Sequence, residues 1–236
     1  MKSSEMMQTT LIANTIDTTG ISLPLEPETS ARIAQLRAGP NWGETLLAAA
    51  RLKHVLGPQR RMVAVNAFEV RDGGSMLALR IGLALAEIDQ GKVLVLDANA
   101  EAPQIAERFA IPASPGLMDV LNGRAELNTA LSQLEPANAY ALPLGSAPAS
   151  LAFLLNTPYC EVLMRQLREQ FRFIIVDAGL FRSAESTLLE ALSDGVLLAV
   201  AAGHRTREEV AAFEEEHRKL QIPVLGAVLT RRGGRN

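Results

Sequence analysis

Six short segments of this chain are apolar almost without interruption: MVAV at 62–65, VLVLD at 93–97, YALPL at 140–144, FIIVD at 173–177, GVLLAVAA at 195–202 and VLGAVLT at 224–230. A strand with one wet face alternates apolar and polar residues, whereas a strand covered on both faces does not. These segments therefore predict the central strands of a mainly parallel sheet with helices on either side. Parallel neighbours need long crossovers, and helical periods fill the gaps. Leu77, Ile81, Leu85 and Ile88 fall at i, i+4, i+8 and i+11, and Leu163, Leu167 and Phe171 repeat every fourth residue. Val210, Phe213 and Leu220 lie on one side of a helix that opens with Thr206 and Glu209, the spacing of a capping box. An earlier helix, ETLLAAARLKHVL at 44–56, offers Leu46, Leu47, Ala50 and Leu56 as its apolar face. The expectation is one three-layer α/β domain over residues 41–236. Residues 1–40 are expected to form a flexible arm, because the opening stretch is rich in Ser, Thr, Glu and Pro without sustained periodicity.

Bulk composition narrows the function classes. With 236 residues, 48% of them hydrophobic, the chain can bury one sizeable core. A formal charge of −3 argues against nucleic acid, which selects a clustered basic face. The terminal Arg231, Arg232 and Arg235 read as a solvated end. Cys160 is the sole cysteine, cannot form an internal disulfide, and reads as a small buried hydrophobe in a reducing compartment. No segment approaches the roughly 20 apolar residues of a spanning helix. A cytoplasmic location is expected, without direct insertion and with any membrane contact made through a partner.

The segment VNAFEVRDGGSMLALRIG, 65–82, leads from the first strand into a helix. In such sheets ligands bind beyond the carboxyl ends of the strands, and a helix amino end offers free N–H groups to an anion. Gly73 and Gly74 permit close backbone approach, and Ser75 stands where a hydroxyl reaches magnesium in a working phosphate loop. That loop reads G-x-x-x-x-G-K-[ST]. Here Gly74 takes the lysine position and Phe68 the first glycine position. Glu69 and Asp72 repel phosphate, and Arg71 is the one nearby cation. Asp97 and Asp177 end later strands, where carboxylates commonly hold magnesium or orient water. Each is equally suited to capping a loop. Arg71, Gly73, Gly74, Ser75, Asp97 and Asp177 are thus the candidate nucleotide-site residues, with Ser75, Asp97 and Asp177 as metal ligands if magnesium binds.

These features, with GLALAEIDQGKVLVLDANAEAP, SPGLMDVLNG at 114–123, the stretch 142–179, and SDGVLLAVAAGHRTREEV, give a resemblance over roughly residues 40–230. The chain resembles the cytoplasmic ATPase domain of bacterial tyrosine kinases of capsule and exopolysaccharide systems, a branch of the MinD/ParA group of P-loop ATPases. The resemblance implies a nucleotide-binding fold, a membrane polysaccharide co-polymerase as partner, and a role in polymer assembly or export. Departures concentrate at the chemistry. The family lysine falls at Gly74 and the glycine three residues before it at Arg71. The Asp-x-Asp pattern becomes Asp97-Ala-Asn99, and the following basic residue is Glu101. The base-contacting asparagine appears as Thr230. The ring-forming Glu-x-x-Arg-x-x-Arg segment reads Glu44, Leu47, Ala50. The tail RRGGRN lacks the tyrosine cluster, leaving only Tyr140 and Tyr159 in the chain.

The expectation is a pseudo-ATPase or pseudokinase without a catalytic residue, acting as a homodimer or heterocomplex through the face that holds Arg71, Asp97 and Asp177. No cofactor is expected, with ATP or ADP and Mg as ligands if the site still works. The alternatives are an active ATPase or tyrosine autokinase whose loop is rebuilt around Arg71, and a MinD-like cell-positioning protein.

Overall fold

A computed structural model describes residues 26–59 and 61–231. Its strands are β1 (Met62–Ala67), β2 (Val93–Asp97), β3 (Ser132–Gln133), β4 (Ala139–Leu142), β5 (Phe173–Leu180), β6 (Val196–Ala201) and β7 (Val224–Thr230). They form one sheet in the order β3-β4-β2-β5-β1-β6-β7. All pairings are parallel except β3 with β4. The six apolar runs are thus the six parallel strands. The two-residue β3 has no run of its own, and its only neighbour is β4.

The helices are α1 (Pro27–Ala38), α2 (Trp42–Leu56), α3 (Gly74–Ile88), α4 (Ile105–Phe109), α5 (Leu117–Leu121), α6 (Leu127–Ala130), α7 (Leu151–Leu155), α8 (Pro158–Gln170), α9 (Ala184–Leu192) and α10 (Arg207–Lys219). Strand residues alternate between two cores. Met62, Ala64, Leu94, Ile174 and Val176 face the layer that contains α8, and Val63, Val65, Val95 and Ile175 face α3. Leu77, Ile81 and Leu85 are buried as their spacing requires, as are Leu163, Leu167 and Phe171. The α10 capping box is formed: the Thr206 hydroxyl accepts the Glu209 N–H, and the Glu209 carboxylate accepts the Thr206 N–H. Cys160 is fully buried, which pushes its thiol up to about 11.

Three expectations need correction. Residues 27–38, read as part of an arm, form α1, whose Ile33 and Thr29 are buried; Thr29 donates to the Ala110 carbonyl. Residues 1–25 of that expected arm, and Arg232 and Arg235, lie outside the described residues. On α2 the buried face is Ala49, Leu52 and Leu56, while Leu47 and Ala50 point outward. On α10 the buried partner of Phe213 is His217, and Leu220 is exposed. Apolar residues misled in both helices, because the neighbouring element rather than the residue's own hydrophobicity chooses the face: α3 for α2 and the sheet for α10.

The SPGLMDVLNG segment is a tightly closed corner. Asp119 Oδ2 accepts the N–H groups of Gly116 at 2.9 Å and Ser146 at 3.0 Å, and the Ser114 hydroxyl at 3.1 Å. A Cβ on Gly116 would lie 2.3 Å from the Pro143 carbonyl oxygen and 2.4 Å from the Gly145 nitrogen. Backbone cannot yield there as a side chain could. Gly116→Ala is therefore expected to destabilise by about 2 kcal/mol, read as a lowered denaturation midpoint; an unchanged midpoint would show that the corner is loose.

Candidate functional site

β1, β2 and β5 end side by side, and α3 begins directly beneath them. Asp97 and Asp177 are register partners across β2 and β5. Both are 1% exposed, and Ser75, in the first turn of α3, is 8% exposed. The structure therefore brings Ser75, Asp97 and Asp177 together. Asn99 joins them: its amide lies 3.4 Å from the Ser75 hydroxyl, and it also supports the Asp177 carboxylate.

The two carboxylates do different work. Asp97 caps the loop that follows it, accepting N–H groups from Asn99 at 3.2 Å, Gln104 at 3.1 Å and Ile105 at 2.9 Å. Burial nevertheless raises it to about 6, against those hydrogen bonds. Asp177 Oδ1 accepts the Gly179 N–H at 3.3 Å, while Oδ2 is buried without a partner. Burial, followed by the charge on Asp97, raises Asp177 to about 7. Both carboxylates, in register on neighbouring strands, therefore hold their protons to higher pH than a free carboxylate. Neither forms part of an exposed face, so the interface expected over Arg71, Asp97 and Asp177 keeps only Arg71 at the surface.

The β1–α3 loop has its own internal architecture. Val70–Asp72 form one turn of 3-10 helix, and Gly73 follows at φ 83° in the left-handed region, as its lack of a Cβ permits. Gly74 opens α3, and a Cβ there would already press on the Ala67 side chain at 3.1 Å. The Asp72 side chain is wholly buried and accepts the Glu69 N–H at 3.1 Å. Arg205, from the β6–α10 loop, reaches this turn. Its guanidinium meets Glu69 at 2.6 Å, Asp72 at 3.3 Å and Glu209 at 3.1 Å, and it lies over the Phe68 ring at 5.1 Å. Phe68 in turn packs edge-on against Phe181 and Phe213. The Thr230 hydroxyl, at the end of β7, donates to the Asp72 carbonyl at 2.6 Å.

Sequence reasoning missed Arg205 and assigned the loop cation to Arg71. Arg71 is exposed, whereas the Arg205 side chain is only 11% exposed. The available signal was the pair of acids, Glu69 and Asp72, which need a cation when one of them is buried. Lys53 pairs with Asp89 at 2.9 Å, and Lys92 lies over the Tyr140 ring; both stand at the other end of the sheet, as expected.

No family model matches the chain. The tyrosine-protein kinase CpsD of Streptococcus agalactiae is 24% identical over 179 residues, covering 74% of this chain and 77% of that protein. The tyrosine-protein kinase ptk of Acinetobacter johnsonii is 26% identical over 135 residues, and the matched part spans only 18% of its length. Among solved structures, the VpsO kinase domain superposes with TM-score 0.71 at 24% identity, covering 80% of this chain and 97% of that one. The kinase domain of Escherichia coli ETK gives 0.76 at 16% identity, covering 93% and 86%. The cell division ATPase MinD of Pyrococcus furiosus gives 0.60 at 20% identity, covering 73% of each. By sequence, the chain is a relative of the bacterial tyrosine-protein kinases, and its fold is the P-loop ATPase fold of their kinase domains and of MinD.

Proposed function

We propose that this chain is a non-catalytic relative of the bacterial tyrosine kinases, serving as partner or regulator in polysaccharide biosynthesis and export. A membrane co-polymerase or another export component is its partner. The observation that carries the reading is the loop: a buried Asp72 carboxylate and Arg205 occupy the turn that would wrap phosphate, and Gly74 stands at the lysine position.

The residues present do not fit Mg-ATP. Arg205, the cation at the loop, is already engaged by three carboxylates. Arg71 projects outward. Magnesium takes a near-octahedral set of oxygens; both Asp97 oxygens accept backbone N–H groups and the Ser75 hydroxyl is engaged by Asn99 and Asp177, which leaves Asp177 Oδ2 as the uncommitted carboxylate oxygen. With no free cation aimed at the phosphates among the described residues, the charge that develops in phosphoryl transfer finds no stabiliser among them. The chain's own groups serve closure of the loop instead.

Tyr140 is half-buried against Phe171, and Tyr159 opens α8 at 38% exposure. Incubation of the purified protein with Mg-ATP, followed by mass spectrometry, should show no phosphate on either tyrosine. Stoichiometric phosphotyrosine at Tyr159 would overturn the non-catalytic reading. No helix among the described residues is long and apolar enough to cross a membrane, in keeping with recruitment through a partner.

A further inference from the structure

At the amino ends of the strands, the opposite end of the sheet from the β1–α3 loop, a cleft of about 680 Å³ opens between α8 and the end of α9. Glu161, Met164, Arg165, Arg168 and Glu169 line it from α8; they fall at i, i+3, i+4, i+7 and i+8 and so share one face of that helix. Leu192, which ends α9, and Arg61, which precedes β1, complete it. Met164 and Leu192 supply the apolar part of the lining, and three of the lining residues are arginines.

Two of these arginines are fixed by the fold. Arg168 donates Nη1 to Asp194 Oδ2 at 2.7 Å and Nη2 to the Leu192 carbonyl at 2.6 Å. Asp194 Oδ2 also accepts the Arg61 and Met62 N–H groups, at 2.7 Å and 2.8 Å, so that carboxylate is fully engaged in closing the corner before β1. Arg61 donates Nη1 to the Arg168 carbonyl at 2.7 Å, a neutral acceptor. Arg61 is half-buried, yet neither it nor the exposed Arg165 forms an ion pair among the described residues. Glu161 and Glu169 each stand four residues from Arg165, are exposed, and do not close on it. A guanidinium tied by one nitrogen to a carbonyl keeps its whole charge and has further N–H donors for an anion. The rest of the lining selects among anions. Repulsion from Glu161 and Glu169 grows with ligand charge, which favours a single carboxylate over a doubly charged phosphate. Met164 and Leu192 offer apolar surface to an aliphatic side chain beside that carboxylate. Because Arg61 and Arg168 are already held, a ligand need not order them.

We propose that this cleft docks a peptide segment of a partner protein in which an aspartate or glutamate stands beside an aliphatic residue, its carboxylate on Arg61 and Arg165 and its aliphatic side chain against Met164 and Leu192. The proposal deepens the partner role given above and rests on it. The β1–α3 loop takes no part, so a failure here would leave the non-catalytic reading standing.

Selection of random heptapeptides displayed on phage against the immobilised full chain tests it. The enriched peptides should carry Asp or Glu next to Leu, Ile, Val or Met. The most enriched peptide, synthesised with a fluorescein label, should then bind the chain in an anisotropy titration. Loss of a charge-assisted contact corresponds to about tenfold in affinity or more. Arg165→Glu, at an exposed position, should therefore weaken binding by about tenfold or more with an unchanged melting temperature, and so should replacing the peptide's acid by its amide. Glu161→Gln should strengthen binding by about twofold, because it removes a rim repulsion. Millimolar inorganic phosphate at matched ionic strength should not displace the peptide. A selection without acidic enrichment overturns the proposal, as does an affinity indifferent to Arg165→Glu. Displacement by phosphate overturns it too, and would assign the cleft to a phosphate-bearing ligand.

Discussion

Replacing Arg205 with methionine should lower stability by about 3 kcal/mol, the scale for stranding a buried carboxylate by removing its partner. For a chain of this size that is a fall of about 6–12 °C in the melting temperature. The Asp72 side chain is wholly buried, whereas Glu69 and Glu209 are partly solvated, so nearly all of the loss comes from the Arg205–Asp72 contact. Methionine keeps the apolar stem over Phe68, which separates lost charge from lost packing. Adding Asp72→Asn should restore about half, because the amide oxygen still caps the Glu69 N–H without a charge to neutralise. Differential scanning calorimetry of the two single variants and the double gives the coupling. A melting temperature within about 1 °C of wild type for Arg205→Met would show that the pair is solvated and the loop open.

Stability should also fall as pH rises through neutrality, and two buried sites drive it the same way. Asp177 rises from about 4 in the unfolded chain to about 7 in the fold, because of burial and the nearby Asp97 charge. The folded state keeps a proton that the unfolded chain has already released, so folding loses free energy between pH 4 and pH 7. Asp97, raised to about 6, acts in the same direction. His217 adds to this at the upper end. Its Nδ1 faces the Phe213 carbonyl at 2.8 Å and must donate, which leaves Nε2 against Glu190 at 3.1 Å. Burial opposes the charged ring, but the Glu190 hydrogen bond and charge prevail and raise its pKa. A raised histidine stabilises fully below its unfolded value near 6.5, and the gain is lost as pH climbs through the folded value. Together these groups should cost on the order of 3 kcal/mol between pH 5 and pH 8. Asp177→Asn should flatten the lower part of the profile, and His217→Phe the upper part. Denaturant midpoints that are flat across this range for wild type would contradict the burial of the carboxylate pair.

The sheet was legible because burial on both faces writes itself into composition: each parallel strand is an apolar run. The positions of Gly73, Gly74, Ser75, Asp97 and Asp177 at the carboxyl end of the sheet were equally legible, since a strand end followed by a glycine turn and a helix occupies few places in such a fold. What their side chains do was not legible. Asp97 was open as a metal ligand or a loop cap, and three backbone N–H groups now occupy it; those donors lie seven and eight residues further on in two cases, beyond any local motif. Arg205 was hidden for a similar reason. It stands 133 residues from Asp72, and nothing at either position announces the other. The α2 face was misread because Leu47 and Ala50 look as apolar as Ala49 and Leu52 until the neighbour, α3, is in place. The β7 edge illustrates a further limit. Its run resembles the central strands, and only the strand order shows that one side is unpaired.

The central claim is that the phosphate loop is filled from within by Asp72 and Arg205 and no longer takes nucleotide. Calorimetric titration of the purified chain with ATP and magnesium tests it most directly. The expected result is no binding tighter than about millimolar, equivalent to about 4 kcal/mol, with wild type and Arg71→Ala giving the same trace. A micromolar affinity for Mg-ATP would contradict the account, and its loss in Arg71→Ala would place the working cation at Arg71 instead.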